Sequence, residues 1–174
     1  MQAEIMDAIK TAHAVLWTKR REIEDRWPTP DQGDSFLFAV AELGEVVDAH
    51  MRTKGQYVRN NEHLRAVQDE MADVAMMLLT ALGDDPEWPG MDDMPDTFES
   101  FGIGEIVSTM SEVMAWYTYA DDVDVDSIMS YQIVWVLSGL YVYFEARGET
   151  LASAVSQRLA RIEAKVTQEE MAIA

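Results

Sequence analysis

Apolar residues recur every three or four positions along most of the chain, which is the spacing of one face of an α-helix. In the first stretch, Ile5, Ile9 and Leu16 follow this spacing. Segments rich in Pro, Gly or acidic residues separate six such stretches. The pattern therefore predicts an all-α protein of about six helices, over about 3–25, 34–53, 62–82, 104–120, 127–147 and 150–167.

Two residue types mark the expected helix ends. Asp34 or Ser35 is expected to cap the second helix, because an Asp or Ser side chain accepts a hydrogen bond from a free N–H at a helix start. Gly83 is expected to close the third helix, since glycine readily adopts the left-handed conformation that follows many helices. Both helices therefore have one end defined by the sequence.

Residues 84–100 hold seven acidic residues, three prolines and no basic residue. This composition predicts a linker that runs over the surface. Its apolar members are expected to hold it against the bundle, namely Trp88, Met91, Met94 and Phe98. The chain is predicted to be one domain, 1–174, with a first half at 1–83, the acidic linker, and a second half at 101–174.

The two halves show a loose repeat of a helix, a short acidic or polar loop and a very apolar helix. Residues 38–48 align with 105–115, which places Glu45 on Glu112 but Glu42 on Thr109. The period is too loose to establish a duplication. If the repeat is real, the chain is a degenerate tandem unit in which the first half keeps its acids and the second half serves as scaffold.

Composition narrows the class of protein. Hydrophobic residues make up 48% of the chain, but no apolar run approaches the roughly 20 residues that span a bilayer. The N-terminus lacks the basic head and apolar stretch of a signal peptide. Cysteine is absent, which excludes disulfides and thiolate metal sites. We expect a cytoplasmic protein with no membrane partner.

The net charge of −19 argues against binding to DNA or RNA polymers, whose phosphates need a basic surface. The positive charge is unevenly placed. Nine of the thirteen Lys and Arg residues lie in the first 65 positions, and none lies in 66–146. Such a local cluster suits a small ligand that carries phosphate, even though the whole chain repels a polyanion.

Two pairs of acidic residues are the strongest candidates for chemistry. Glu42 and Glu45 are three positions apart on one predicted helix, and Glu70 and Asp73 are three apart on the next, so each pair shares a helix face. A short loop makes these helices antiparallel neighbours, which lets the acidic faces meet. Four facing carboxylates at the edge of a core need a counter-charge, and Mg²⁺ or Mn²⁺ suits oxygen ligands.

The segments that carry these pairs, "AVAELGEVVDA" and "VQDEMADVAMMLL", resemble the ExxE and ExxD helices of the all-α nucleoside triphosphate pyrophosphatases, the MazG-like and dimeric-dUTPase-like superfamily. The resemblance covers roughly residues 27–83. Residues 135–166 also resemble the late helices of that superfamily, without the acids. The context of the motif is more specific than its four letters.

The resemblance implies hydrolysis of a nucleoside or deoxynucleoside triphosphate between its α- and β-phosphates, which removes unwanted nucleotides from the pool as monophosphate and pyrophosphate. Glu42, Glu45, Glu70 and Asp73 would be the catalytic residues and would hold Mg²⁺, or Mn²⁺, with an activated water as nucleophile. The substrate-binding residues would be Lys54, Arg59 and Arg65 for the phosphates, Asn60 and Asn61 for sugar or base, and Trp27 for stacking. The preferred nucleobase stays open.

The chain departs from the superfamily pattern in two places. Many members carry a further Glu directly before the first pair, where this chain has Ala41. The second half lacks the motif, so one site per chain is expected. In the superfamily the catalytic unit is a four-helix bundle, built from two chains or from tandem halves. The length of this chain suits the tandem version with a four-helix core, and a homodimer of that unit stays open.

Two other functions fit an acidic helical bundle. One is a catalytically inactive regulatory or protein-binding module that inherited the fold. The other is a carboxylate di-metal oxidase, whose sites usually need Glu-x-x-His on two helices. The three histidines do not fit that motif, because the residues three positions before them are Lys10, Val47 and Asn60.

Overall fold

The computed structural model of the protein describes residues 2–23, 30–53, 61–90, 103–119 and 125–173. These ranges form six α-helices, and no strand occurs within them, so the predicted all-α class is confirmed. In chain order the helices are α1 (Gln2–Ile23), α2 (Gln32–Met51), α3 (Asn61–Ala81), α4 (Ile103–Tyr119), α5 (Val125–Glu145) and α6 (Leu151–Ile173). No helix in this part of the chain combines the length and the apolar character needed to cross a bilayer.

Four helices form the centre of the bundle. Each of α1, α3, α5 and α6 packs against the other three. The remaining two lie outside this group, α2 along α3 and α4 against α5, and α2 also meets α4. The central four come from both halves of the chain, so the two halves share one hydrophobic core.

Helix α3, which carries the predicted ligands Glu70 and Asp73, is deeply enclosed in the bundle. Residues 71–81 are all buried, since α3 contacts α1, α2, α5 and α6. Their side chains are apolar apart from Thr80, which donates to the Met76 carbonyl at 2.8 Å, and Asp73, which is only 4% exposed. A buried carboxyl is costly unless it is paired or serves a function. Asp73 is therefore the unusual residue of this helix.

The ends of α2 and α3 test the predicted boundaries. The prediction that Asp34 or Ser35 caps α2 is wrong, because Asp31 already satisfies the free helical N–H, its side chain accepting from the Asp34 N–H at 2.7 Å. Ser35 is buried and donates to the Asp31 carbonyl at 2.7 Å. The end of α3 is as predicted, with Gly83 at a φ of 80° and its N–H on the Thr80 carbonyl.

The start of the acidic linker is held against α1. His13 of α1 is buried and lies 2.7 Å from the Gly83 carbonyl oxygen through Nε2. The Trp88 ring meets the His13 ring edge-on at 5.3 Å, and the Lys10 ammonium lies 5.6 Å from the Trp88 ring centre. The prediction that Trp88 holds the linker to the bundle is confirmed. The other three expected contacts lie outside the described residues, at Met91, Met94 and Phe98.

Candidate metal site

The α2–α3 pair brings three of the four predicted carboxylates together. One carboxylate oxygen from each of Glu42, Glu45 and Glu70 lies within 4.8 Å of the other two. Glu42 and Glu70 are half-buried, and Glu45 is exposed. The acidic faces of the two helices therefore meet as their spacing predicted. Among the described residues, no other three His, Cys, Asp or Glu side chains come this close.

The local sequence of α2 puts these carboxylates at the edge of a packed interface. Ala39, Leu43 and Val46 are buried, and their spacing of four and three positions makes one helix face. Glu42 and Glu45 each precede one of the last two of these residues, so their side chains emerge beside the buried face. The site is consequently open to solvent on one side and backed by α3 on the other.

The environment disfavours the ionised form of two of the acids. Burial, and after it the neighbouring charges of Asp73, Glu45 and Glu70, together raise the pKa of Glu42 to about 7, although the charge of Arg158 opposes the rise. Burial likewise raises the pKa of Glu70, followed by repulsion from Asp73 and Glu45. The cluster thus carries more negative charge than its surroundings compensate, which favours a bound cation.

Asp73, the fourth predicted ligand, is adjacent to this cluster but already has a cation. The Arg158 side chain of α6 donates from Nε to Asp73 Oδ1 at 2.5 Å. The pKa of Asp73 is nevertheless raised, because burial outweighs the bond to Arg158. Arg158 bonds only one of the two carboxylate oxygens, which leaves Oδ2 free for a further ligand.

A second arginine repeats this arrangement one turn further along α6. Arg161 Nη1 lies 2.5 Å from Asp69 Oδ1. Arginines three positions apart on α6 therefore face aspartates four positions apart on α3, with the two helices antiparallel. The sequence-based prediction treated the second half as scaffold and missed both arginines. Arg158 and Asp73 are 85 positions apart, so no local sequence signal pointed to their pairing.

Only part of the predicted phosphate-binding loop can be placed. Arg52, the residue that follows α2, forms an ion pair with Asp48 of that helix. Four of the predicted substrate contacts lie outside the described residues, at Trp27, Lys54, Arg59 and Asn60. Asn61 and Arg65 lie in α3, but their side chains are outside the described part as well. The roles assigned to these six residues stay predictions.

The second half has no comparable cluster among its described residues. Glu112, which aligns with Glu45 in the loose repeat, is exposed on α4. Among the side chains that the structure describes, the carboxylate cluster contains no histidine, and His13 is engaged with Gly83 instead. The described part of the cluster therefore offers carboxylate oxygens only, without the imidazole ligands expected in a di-metal oxidase.

The sequence matches no protein-family model, and neither a curated protein nor a solved structure matches it. The resemblance to the all-α nucleoside triphosphate pyrophosphatases therefore stays a prediction drawn from the motif. Independent of that motif, the structure adds the meeting of Glu42, Glu45 and Glu70 and the pairing of Asp73 with an arginine of α6.

Proposed function

We propose that the protein hydrolyses a nucleoside or deoxynucleoside triphosphate to the monophosphate and pyrophosphate, using Mg²⁺ or Mn²⁺ held by Glu42, Glu45 and Glu70. The observation that carries the proposal is the cluster of three carboxylates within 4.8 Å, with the pKa of Glu42 raised to about 7. The sequence context of both acidic helices supports the same reaction class.

The donor set fits a hard divalent cation. Three carboxylates whose oxygens lie within 4.8 Å of one another can share one ion. Asp73 is outside this group of three and is held by Arg158. Mg²⁺ prefers oxygen ligands and keeps several positions for water and substrate phosphates. The repulsion that raises the pKa of Glu42 and Glu70 is relieved by a cation, so metal binding is coupled to their ionisation.

A divalent cation held by Glu42, Glu45 and Glu70 would supply charge neutralisation at the phosphates and an activated water. The chain supplies the rest of the site. Glu42 and Glu70 hold their carboxylates half-buried at the α2–α3 interface, which limits their motion and excludes part of the surrounding water. Glu45 is exposed at the outer edge, where an incoming nucleotide first meets the site.

The test is release of pyrophosphate from a panel of ribo- and deoxynucleoside triphosphates with Mg²⁺. Wild type is expected to produce the monophosphate and pyrophosphate, and Glu70→Ala is expected to lose about 100-fold or more of this activity because a metal ligand is removed. Glu112→Ala is the matched control, since Glu112 is exposed outside the cluster. The proposal would be refuted if the protein hydrolysed none of these nucleotides and also bound no Mg²⁺.

An inactive protein-binding module is the second candidate. Three large apolar side chains of α2 are exposed, namely Leu37, Phe38 and Val47 at 43%, 52% and 38%. A contiguous exposed apolar patch favours a surface that contacts another protein, and Leu37 and Phe38, which are adjacent in the chain, could contribute to one. Mg²⁺ binding without turnover of any nucleotide in the same panel would favour this candidate over the enzyme.

A further inference from the structure

Arg158 has more hydrogen-bonding capacity than its partner uses. A guanidinium carries five N–H donors. Arg158 uses one of them, the N–H of Nε, in its hydrogen bond to Asp73. The N–H groups of Nη1 and Nη2 make no hydrogen bond to any described residue. The side chain is 31% exposed, so these donors are accessible to a ligand from solvent.

The position of Arg158 relates these free donors to the carboxylate cluster. Its partner Asp73 follows Glu70 by three positions on α3, so the two carboxylates project from the same face of that helix about one turn apart. Arg158 bonds the Asp73 carboxylate directly, at 2.5 Å. The guanidinium therefore lies about one helical turn from Glu70, where a metal-bound polyanion would extend.

We propose that Arg158 binds a phosphate group of the substrate through Nη1 and Nη2 while its Nε holds Asp73. This inference rests on the proposed function for the class of ligand, a metal-bound polyphosphate. A planar guanidinium can bond a carboxylate on one edge and phosphate oxygens on another. Because Asp73 already fixes its orientation, Arg158 loses little side-chain freedom on binding. The last helix thus supplies a phosphate contact to a site built on the second and third.

Arg161 provides a matched comparison within the same helix. It also pairs with an aspartate of α3 at 2.5 Å, and its side chain is 37% exposed, close to the 31% of Arg158. Its partner Asp69 directly precedes Glu70, and successive residues of a helix do not share a face, whereas Asp73 shares the face of Glu70. Replacing Arg161 therefore removes a similar ion pair between α6 and α3 without removing a donor at the cluster.

The experiment is calorimetric titration of sodium pyrophosphate into the full chain loaded with Mg²⁺. Arg158→Gln is expected to weaken pyrophosphate binding by about tenfold or more, and Arg158→Lys to fall between this variant and wild type because it keeps charge but loses the forked donor. Arg161→Gln is expected to stay within about twofold of wild type.

Titration of Mg²⁺ alone separates this role from a structural one. Arg158→Gln removes a positive charge beside the cluster, so its Mg²⁺ affinity is expected to equal or exceed that of wild type. Damage to the fold would instead weaken Mg²⁺ and pyrophosphate binding together. Three outcomes would overturn the inference. They are a joint loss of Mg²⁺ and pyrophosphate binding in both Arg158 variants, pyrophosphate binding by Arg158→Gln that equals that of wild type, and no pyrophosphate binding by wild type.

The nucleotide hydrolysis assay distinguishes failure of the Arg158 contact from failure of the proposed function. A protein that binds pyrophosphate through Arg158 but hydrolyses no nucleotide would refute the proposed reaction and keep the phosphate contact. A protein that hydrolyses nucleotides with an unchanged KM in Arg158→Gln would keep the reaction and refute the contact.

Discussion

At the scale of single residues, Glu42 shows what the carboxylate cluster costs the protein. Its pKa is about 7 in the folded state, against the ordinary 4.5 of an unfolded chain. Below pH 4.5 the carboxyl is protonated in both states and costs nothing. As the pH rises through 4.5 toward 7, the unfolded chain releases the proton more easily, so the folded state loses stability.

Glu42→Gln is therefore expected to stabilise the metal-free protein at pH 8 and to have little effect at pH 5. We expect its Tm to exceed that of wild type by about 5 °C at pH 8, with the gap closing on acidification. Thermal unfolding in a chelator across this pH range measures the gap. Glu112→Gln serves as the exposed control. A gap that is the same at every pH would contradict the prediction.

The residues of the site divide into those that local spacing predicts and those that it does not. Glu42, Glu45 and Glu70 follow from spacing within two adjacent helices, since a short connection makes such helices neighbours. The pairing of Asp73 with Arg158 depends on how α6 lies against α3, with 84 residues between them in the chain. No local pattern specifies that packing, so Arg158 was missed.

At the scale of helices, the start of α2 and the end of α3 depend on different local chemistry. The start of α2 depends on a side-chain hydrogen bond from Asp31, and the end of α3 on the backbone conformation of Gly83. Periodicity located the helices but placed their ends imprecisely. It ended α6 near 167, whereas α6 reaches Ile173, because the residues beyond 167 include good helix formers and no breaker.

Two glycine substitutions are expected to change stability in opposite directions. Gly83→Ala should lower the free energy of unfolding by about 1–2 kcal/mol, because an L side chain disfavours a positive φ. Gly44→Ala should raise it by about 0.5–1 kcal/mol, because Gly44 lies inside α2 and an added Cβ meets nothing within 4 Å. Urea unfolding measures both, and effects of the same sign would contradict this account of the two positions.

At the scale of the whole molecule, charge opposes compaction. The chain carries 32 acidic residues against 13 Lys and Arg, and the carboxylate cluster concentrates part of this excess in one place. Self-repulsion of this kind destabilises a compact state and is weakened by salt. The all-α class was predictable from apolar spacing, whereas the balance of charge at the α3–α6 contact was not, because it depends on tertiary packing.

Salt and Mg²⁺ are consequently expected to stabilise the protein to different extents. Raising NaCl from about 20 to about 300 mM should raise the Tm by a few degrees through screening. At matched ionic strength, millimolar Mg²⁺ should raise the Tm of wild type further, since binding to the folded state adds stability. In Glu70→Ala, Mg²⁺ should do no more than NaCl. An equal response to Mg²⁺ in both proteins would contradict a site at Glu70.

The bond from Arg158 to Asp73 also sets the order in which the site can be assembled during synthesis. The helices that carry the acids, α2 and α3, leave the ribosome before α6, so Asp69 and Asp73 face no arginine of α6 until that helix has been made. The nascent acidic surface therefore repels itself until α6 packs against α3. The site is complete only once α6 has packed, so a chain cleaved between α5 and α6 keeps its acids but loses the arginines that face them.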